Sequence, residues 1–195
     1  MKKGLLSLLF IGAMSQCSAM IQGDFELVLI NSSCMEKCQE YIQIIKEKIE
    51  KKALPEDQEH AENIKEIVLH EVAQGERELL LILKDGKEYT GHTFFTIQKD
   101  GRVKITTPGF VNSGYAILVL STFFKYLRNQ FNAEIIFSLP PENVAAFQAL
   151  INCFGFINDQ AIAIEGEDQP EKYGFSKEYV AQMRRFRLPV DTEIK

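Results

Sequence analysis

Basic residues are in deficit. The chain has 22 lysines and arginines against 27 aspartates and glutamates, a formal charge of -5. Non-specific nucleic-acid binding rests on Lys and Arg neutralising phosphates, so this balance argues against that class. It is compatible with a cationic small molecule or a basic peptide. Cysteine is scarce as well: only Cys17, Cys34, Cys38 and Cys153. Loss of an N-terminal segment through Ala19 would leave three, and an odd number is not a disulfide framework. Cys34 and Cys38 lie at the start of a helical pattern and read as packing thiols; no further ligands complete a metal set. Beyond the N-terminus no apolar run is long enough to span a membrane as a helix. There is no internal repeat and no low-complexity linker. A Gly-x-Ser-x-Gly elbow, a His-Glu-x-x-His zinc motif and a Walker phosphate loop are all missing, which leaves hydrolase, metalloenzyme and nucleotide-hydrolase readings without support.

The length, 195 residues, suits one domain with a core that needs no staples. Composition is globular, at 46% hydrophobic and 25% charged. The N-terminus carries a distinct signal. Lys2 and Lys3 precede the apolar run Gly4 to Met14, and Cys17-Ser18-Ala19 puts small residues three and one before Met20. That is the pattern of a secretory signal peptide over residues 1–19, cut before Met20. It implies export to a periplasm or the outside, including delivery into a host cell. The remaining domain, 20–195, would have no membrane attachment and a charge near -7, since only Lys2 and Lys3 are lost.

The chain reads as a mixed α/β domain of order β-α-α-β-β-β-α-β-α-β-β. Phe25 to Ile30 is a strand, and Asn31-Ser32-Ser33 caps a helix carrying Met35, Cys38, Tyr41, Ile42, Ile45 and Ile49. Glu59 to Gln74 is a second helix, stopped at Gly75. Three strands follow, Glu78 to Leu83, Tyr89 to Gln98 and Arg102 to Thr107, joined by Asp85-Gly86 and Asp100-Gly101 turns. Pro108 and Gly109 break the pattern. A helix from Gly114 to Phe131 aligns Ile117, Leu120, Phe124, Leu127 and Phe131. Ala133 to Leu139 is a buried strand, and a helix opening at Glu142-Asn143 closes at Gly155. Two strands, near Ala161–Ile164 and Tyr179–Arg187, complete the chain.

The segment Pro108 to Ala116, PGFVNSGYA, stands between a strand and a long helix. The first N–H groups of a helix lack internal partners and its dipole makes that end electropositive. A phosphate can sit there if side chains keep clear, and Gly114 and Ala116 are small. A glycine before a helix is also an ordinary cap. The whole order of elements, with this turn, resembles the GNAT N-acetyltransferase family. There a strand runs into a proline, then a (Gln/Arg)-x-x-Gly-x-(Gly/Ala) turn, then a long helix, and the turn's amides bind the CoA pyrophosphate. Gly114 and Ala116 match the small positions, Phe110 stands at a common aromatic position, and Val111 replaces the usual Gln or Arg. Downstream, Asn143, Ala146 and Gly155-Phe156 resemble the family's next helix, with an interval one residue longer and Leu150 and Ile151 where a tyrosine is usual.

The resemblance implies acetyl transfer from acetyl-CoA, as co-substrate, to a small amine or a basic peptide, with no metal. It places the pyrophosphate on Val111, Asn112, Ser113, Gly114, Tyr115 and Ala116. Asn143 would help position the pantetheine arm or order the loop. A backbone N–H at Thr106 or Thr107, in a splay between the family's fourth and fifth strands, would meet the thioester carbonyl. His92 is the candidate base, although a lone strand histidine is more often structural. Glu76, Glu78 and the run Glu165-Gly166-Glu167-Asp168, with Glu171, read as solvated charges, the run offering an attraction for a cation. The missing Gln/Arg and tyrosine leave a second reading open, a GNAT-fold binding module without catalysis. Export sharpens the alternative, because acetyl-CoA is a cytosolic metabolite.

Overall fold

The computed structural model describes residues 19–22, 25–34, 39–40, 43, 68–84, 88–110, 116–164 and 176–194. Cα packing divides the chain into two units, Met1–His92 and Thr93–Lys195.

In the first unit β1 (Ala19–Gln22), β2 (Phe25–Ile30), β3 (Glu78–Lys84) and the start of β4 (Glu88–Ile97) lie side by side in that order. β1 pairs antiparallel with β2 from Ala19↔Val28 to Gln22↔Phe25. β2 pairs antiparallel with β3 from Phe25↔Lys84 to Ile30↔Leu79. The apolar runs of β2 and β3 are continuous rather than alternating, which is the pattern of strands covered on both faces. Accordingly Leu27 to Ile30 and Leu79 to Leu83 are all buried. β1 was not expected from the sequence. After β2, Asn31 turns the chain: its Oδ1 accepts from the Ser33 N–H at 3.1 Å and a short 3-10 turn spans Ser32–Cys34. Of the first expected helix only residues 39–40 and 43 are described, and they are helical. The second ends in a π-turn over Val68–Val72, with Val72 fully buried and Gly75 left-handed at φ 75.

In the second unit the rest of β4, β5 (Val103–Phe110), β6 (Ile135–Leu139), β8 (Arg184–Leu188) and β7 (Ile157–Asn158) lie in that spatial order. The Asp100-Gly101 turn is as expected, with Gly101 at φ 85 and the Gln98 N–H bonded to the Arg102 carbonyl at 2.8 Å. The Asp85-Gly86 turn lies outside the described residues. β5 does not stop at Thr107; it continues through Pro108 and Gly109 to Phe110.

Helix α1 (Ala116–Phe131) buries Ala116, Val119, Leu120, Phe123, Phe124 and Leu127. That stripe has the i, i+3, i+4, i+7 spacing of one helix face. Ile117, assigned to the buried side from sequence, lies outside the stripe and is 53% exposed. Asn132 follows at φ 49, a left-handed stop that asparagine tolerates. Helix α2 (Pro141–Phe154) begins with proline in its first turn, where a missing N–H costs nothing. It ends at Gly155, left-handed at φ 75, whose N–H reaches the Ile151 carbonyl. This stop delivers Phe156 into an aromatic cluster: Phe124 meets Phe154 and Phe156 at 5.0 and 5.3 Å, edge to face, and Phe137 meets Phe156 at 4.7 Å.

The tail differs from expectation. Ala161–Ile164 is not a strand; Ile162 and Ile164 instead lie buried with Ile136. The segment Tyr179–Arg187 divides into helix α3 (Lys177–Gln182), capped by the Ser176 hydroxyl, and strand β8. β8 runs antiparallel to β6 over its whole length, Ile135↔Leu188 to Leu139↔Arg184. Arg187 fixes this corner, bonding Glu134 and Asp159 at 3.0 Å each.

Candidate functional site

The site is built on an interrupted ladder. β5 and β6 are parallel neighbours. Their pairing among the described residues covers Val103↔Ile135 and Lys104↔Ile136 and then stops, although β5 continues to Phe110 and β6 to Leu139. β6 is meanwhile paired through Leu139 on its other side. The two strands therefore part at their C-terminal ends, where ligands gather in open α/β sheets.

Strand geometry says which backbone groups face the gap. Successive residues of a strand turn their N–H and C=O to opposite neighbours. The Val103 N–H goes to the Glu134 carbonyl at 2.9 Å, on the β6 side. The Arg102 carbonyl accepts from Gln98, and the Thr106 carbonyl from the Thr93 hydroxyl at 3.4 Å, both on the β4 side. Odd-numbered residues of β5 thus address β6. A parallel bridge at Lys104↔Ile136 takes up the N–H of Ile105. Thr107 is then the first residue of β5 whose N–H points into the gap. Of the two threonines singled out in the sequence, Thr106 turns its backbone the other way.

The segment leaving β5, residues 111–115, lies outside the described residues, and with it Val111, Asn112, Ser113, Gly114 and Tyr115. Ala116 is described: it is the first residue of α1 and 9% exposed. α1 is 16 residues long and has no acid in its first turn, so nothing on the helix opposes an anion at its N-terminus. The helix packs on β5 and β6.

At the end of β6, Pro140 leads into α2. Asn143 is exposed in the first turn, its N–H on the Pro140 carbonyl at 3.0 Å. Its neighbour Glu142 accepts a hydrogen bond from the Tyr179 hydroxyl of α3 at 3.2 Å. Partial burial and the Glu142 carboxylate push the Tyr179 phenol above its ordinary value, so it remains a proton donor. No local signal announces this pair: the partners are 37 residues apart, and the sequence from Tyr179 reads as strand where the chain forms α3.

His92 is 1% exposed on β4, in the first unit. Glu76 is exposed as expected. Glu78 is not a solvated charge; burial raises its carboxyl above the usual range. Glu165, Glu167, Asp168 and Glu171 lie outside the described residues. Among the described residues no group of three or more His, Cys, Asp and Glu is placed to hold a metal, and no helix is long and apolar enough to cross a membrane. Cys34 and Cys153 are free thiols.

No protein-family model and no curated protein matches the chain. Solved structures do. A chimera of Vibrio cholerae spermidine N-acetyltransferase and hSSAT is similar over 86% of this chain and 96% of its own, with a TM-score of 0.55 at 12% identity. The dodecameric spermidine N-acetyltransferase of Vibrio cholerae is similar over 87% and 95%, with a TM-score of 0.51 at 11% identity. The same organism's enzyme in complex with CoA and spermine is similar over 85% and 95%, with a TM-score of 0.50 at 11% identity. The class is therefore a mixed α/β protein with a parallel strand pair that splays at its C-terminal end. More particularly, the chain has the GNAT N-acetyltransferase fold.

Proposed function

We propose that this protein transfers an acetyl group from acetyl-CoA to an amine. The observation that carries the reading is the parting of β5 from β6 with the Thr107 N–H directed into the gap. The residues present fit the co-substrate on two counts. The long helix that follows β5 in the chain and packs on it has no acid in its first turn, and the residue that opens it, Ala116, is small. Acetyl-CoA supplies the acetyl group as a thioester. On the sequence resemblance, residues 111–116 would take its pyrophosphate on backbone amides, and Asn143, in the first turn of α2, would help position the pantetheine arm or order the loop.

The reaction needs a neutral amine to attack the thioester carbon. A C–N bond forms and the C–S bond breaks. One amine proton goes to a base or to water, and the departing sulfur takes a proton in turn. Negative charge collects on the thioester oxygen between these events. The Thr107 N–H is the fixed donor for it, and such a donor contributes about 10²–10³ in rate. The solved neighbour that holds CoA and spermine supports an amine as acceptor. The acidic balance of this chain supports a cationic one.

The leader supports export, with processing before Met20. Such a cut leaves Met20, Ile21 and Gln22 paired with Leu27, Glu26 and Phe25, so β1 persists. Transfer then takes place where acetyl-CoA is present, as inside a host cell. The non-catalytic reading keeps one specific observation in its favour, since α2 contains no tyrosine. Turnover decides between them. Thiol release from acetyl-CoA is followed with a panel of monoamines, polyamines and lysine peptides. Release that depends on one amine class, with the acetylated product seen by mass spectrometry, is expected. Acetyl-CoA binding without release for any amine would leave a binding module.

A further inference from the structure

Thr93 is a buried hydroxyl that the proposed reaction leaves unused. It lies on β4 and is 1% exposed. Its Oγ1 stands 3.4 Å from the carbonyl oxygens of both Phe94 and Thr106, and a single hydroxyl proton serves one of them at a time. The Thr106 carbonyl and the Thr107 N–H belong to the same peptide unit. One end of that unit is held on the β4 side; the other points into the gap between β5 and β6.

We infer that Thr93 is a positioning residue for the oxyanion donor, its hydroxyl bonding the Thr106 carbonyl and so orienting and polarising the peptide whose N–H, at Thr107, faces the gap. The inference rests on the acetyl-transfer reading. Its physical basis is cooperative hydrogen bonding. A carbonyl that accepts a bond draws charge from its own amide, and the N–H of that amide becomes a stronger donor, by about 10–30% per bond. Ordinary strand pairing already fixes the peptide plane. Beyond the Lys104↔Ile136 bridge, however, β5 has a ladder partner on one side only, and the hydroxyl adds a constraint where the opposite neighbour is lost. Thr93 is not a catalytic residue, since it reaches the reacting atoms only through the peptide.

The magnitude follows from the donor it supports. If that donor contributes about 10²–10³, a change of 10–30% in its strength alters kcat by about two- to eightfold, with KM for acetyl-CoA nearly unchanged. The variants are Thr93→Val, which keeps the shape and removes the hydroxyl, Thr93→Ala, which removes it without branching, and Thr93→Ser, which keeps it. All are made in the full chain and checked for folding by near-UV circular dichroism. The primary readout needs no acceptor. It is the infrared carbonyl stretch of acetyl-CoA labelled with ¹³C at the thioester carbon, bound to each protein, with affinity measured alongside by calorimetry.

The wild type and Thr93→Ser should hold the carbonyl at a lower wavenumber than Thr93→Val or Thr93→Ala, at equal affinity. Whichever of Val and Ala folds suffices for the comparison. A folded variant without the hydroxyl whose bound carbonyl matches the wild type overturns the inference while leaving acetyl-CoA binding intact. Parallel loss of affinity and shift, unrestored by serine, also overturns it, because that is the mark of a purely structural threonine. Failure of the wild type to bind acetyl-CoA removes the transferase reading itself, and this inference with it.

Discussion

Replacing Thr107 with proline removes a single N–H from β5 and tests the site at its centre. Proline lacks the backbone donor, so within a sheet it is normally excluded wherever that donor joins a ladder. The structure distinguishes two neighbouring odd positions. The N–H of Ile105 closes the last bridge to β6, whereas that of Thr107 faces the gap beyond it. Ile105→Pro breaks a ladder bond at a residue that is 5% exposed and strands a buried carbonyl, a cost of about 1–3 kcal/mol. Thr107→Pro breaks no bond to β6 and should cost less than about 1 kcal/mol in stability. Proline also restricts the residue before it to extended backbone, which Thr106 already has within β5. The effect on transfer is the reverse. Loss of one oxyanion donor should lower kcat by about 10²–10³, while acetyl-CoA still binds. The assay pairs thiol release at saturating acetyl-CoA with thermal unfolding of both variants. Undiminished turnover in Thr107→Pro would refute the donor assignment. Equal destabilisation by the two prolines would refute the geometry of the gap.

Two further outcomes concern stability. Burial raises the Glu78 carboxyl, so the folded state favours its protonated form, and the stability it contributes is present below the unfolded value near 4.5 and lost as pH rises through the raised folded one. Glu78→Gln should therefore raise the melting temperature at pH 7 and change it little at pH 4; a shift of the same size at both would contradict the burial of the charge. Gly155→Ala places a Cβ at φ 75 and 3.1 Å from the Thr192 methyl. A left-handed alanine costs about 1–2 kcal/mol, which lowers the melting temperature of a chain this long by about 2–8 °C, and no fall at all in differential scanning fluorimetry would show that the helix stop is not held left-handed.

The sequence made the strand-and-turn frame legible because local chemistry dictates it. The run from Phe25 to Ile30, the Asp100-Gly101 turn and the Gly155 stop each carry their signal within a few residues, and each stands where expected. The pattern misleads where two periodicities overlap. Ile117 fits a helical stripe as well as Ala116 and Val119 do, and only packing against β5 and β6 selects the phase. Ala161–Ile164 is apolar like a strand but lies buried with Ile136 without joining the sheet. The gap itself has no local signature. Pro108 and Gly109 marked a break in the pattern, yet the strand continues through them, and what ends before them is the pairing to β6. Likewise the contacts Thr93–Thr106 and Glu142–Tyr179 join residues 13 and 37 apart, and no motif announces either. The turn 111–115 rests on the sequence resemblance, with Ala116 and the start of α1 as its described anchor.

The most direct measurement is calorimetric titration of the full chain with acetyl-CoA and with CoA, alongside Gly114→Trp, which puts a bulky side chain into the pyrophosphate turn. If the N-terminus of α1 receives the pyrophosphate, both ligands bind the wild type with comparable affinity and Gly114→Trp loses both. No heat of binding at millimolar ligand would contradict an acyl-CoA site, and undiminished binding by Gly114→Trp would contradict its location.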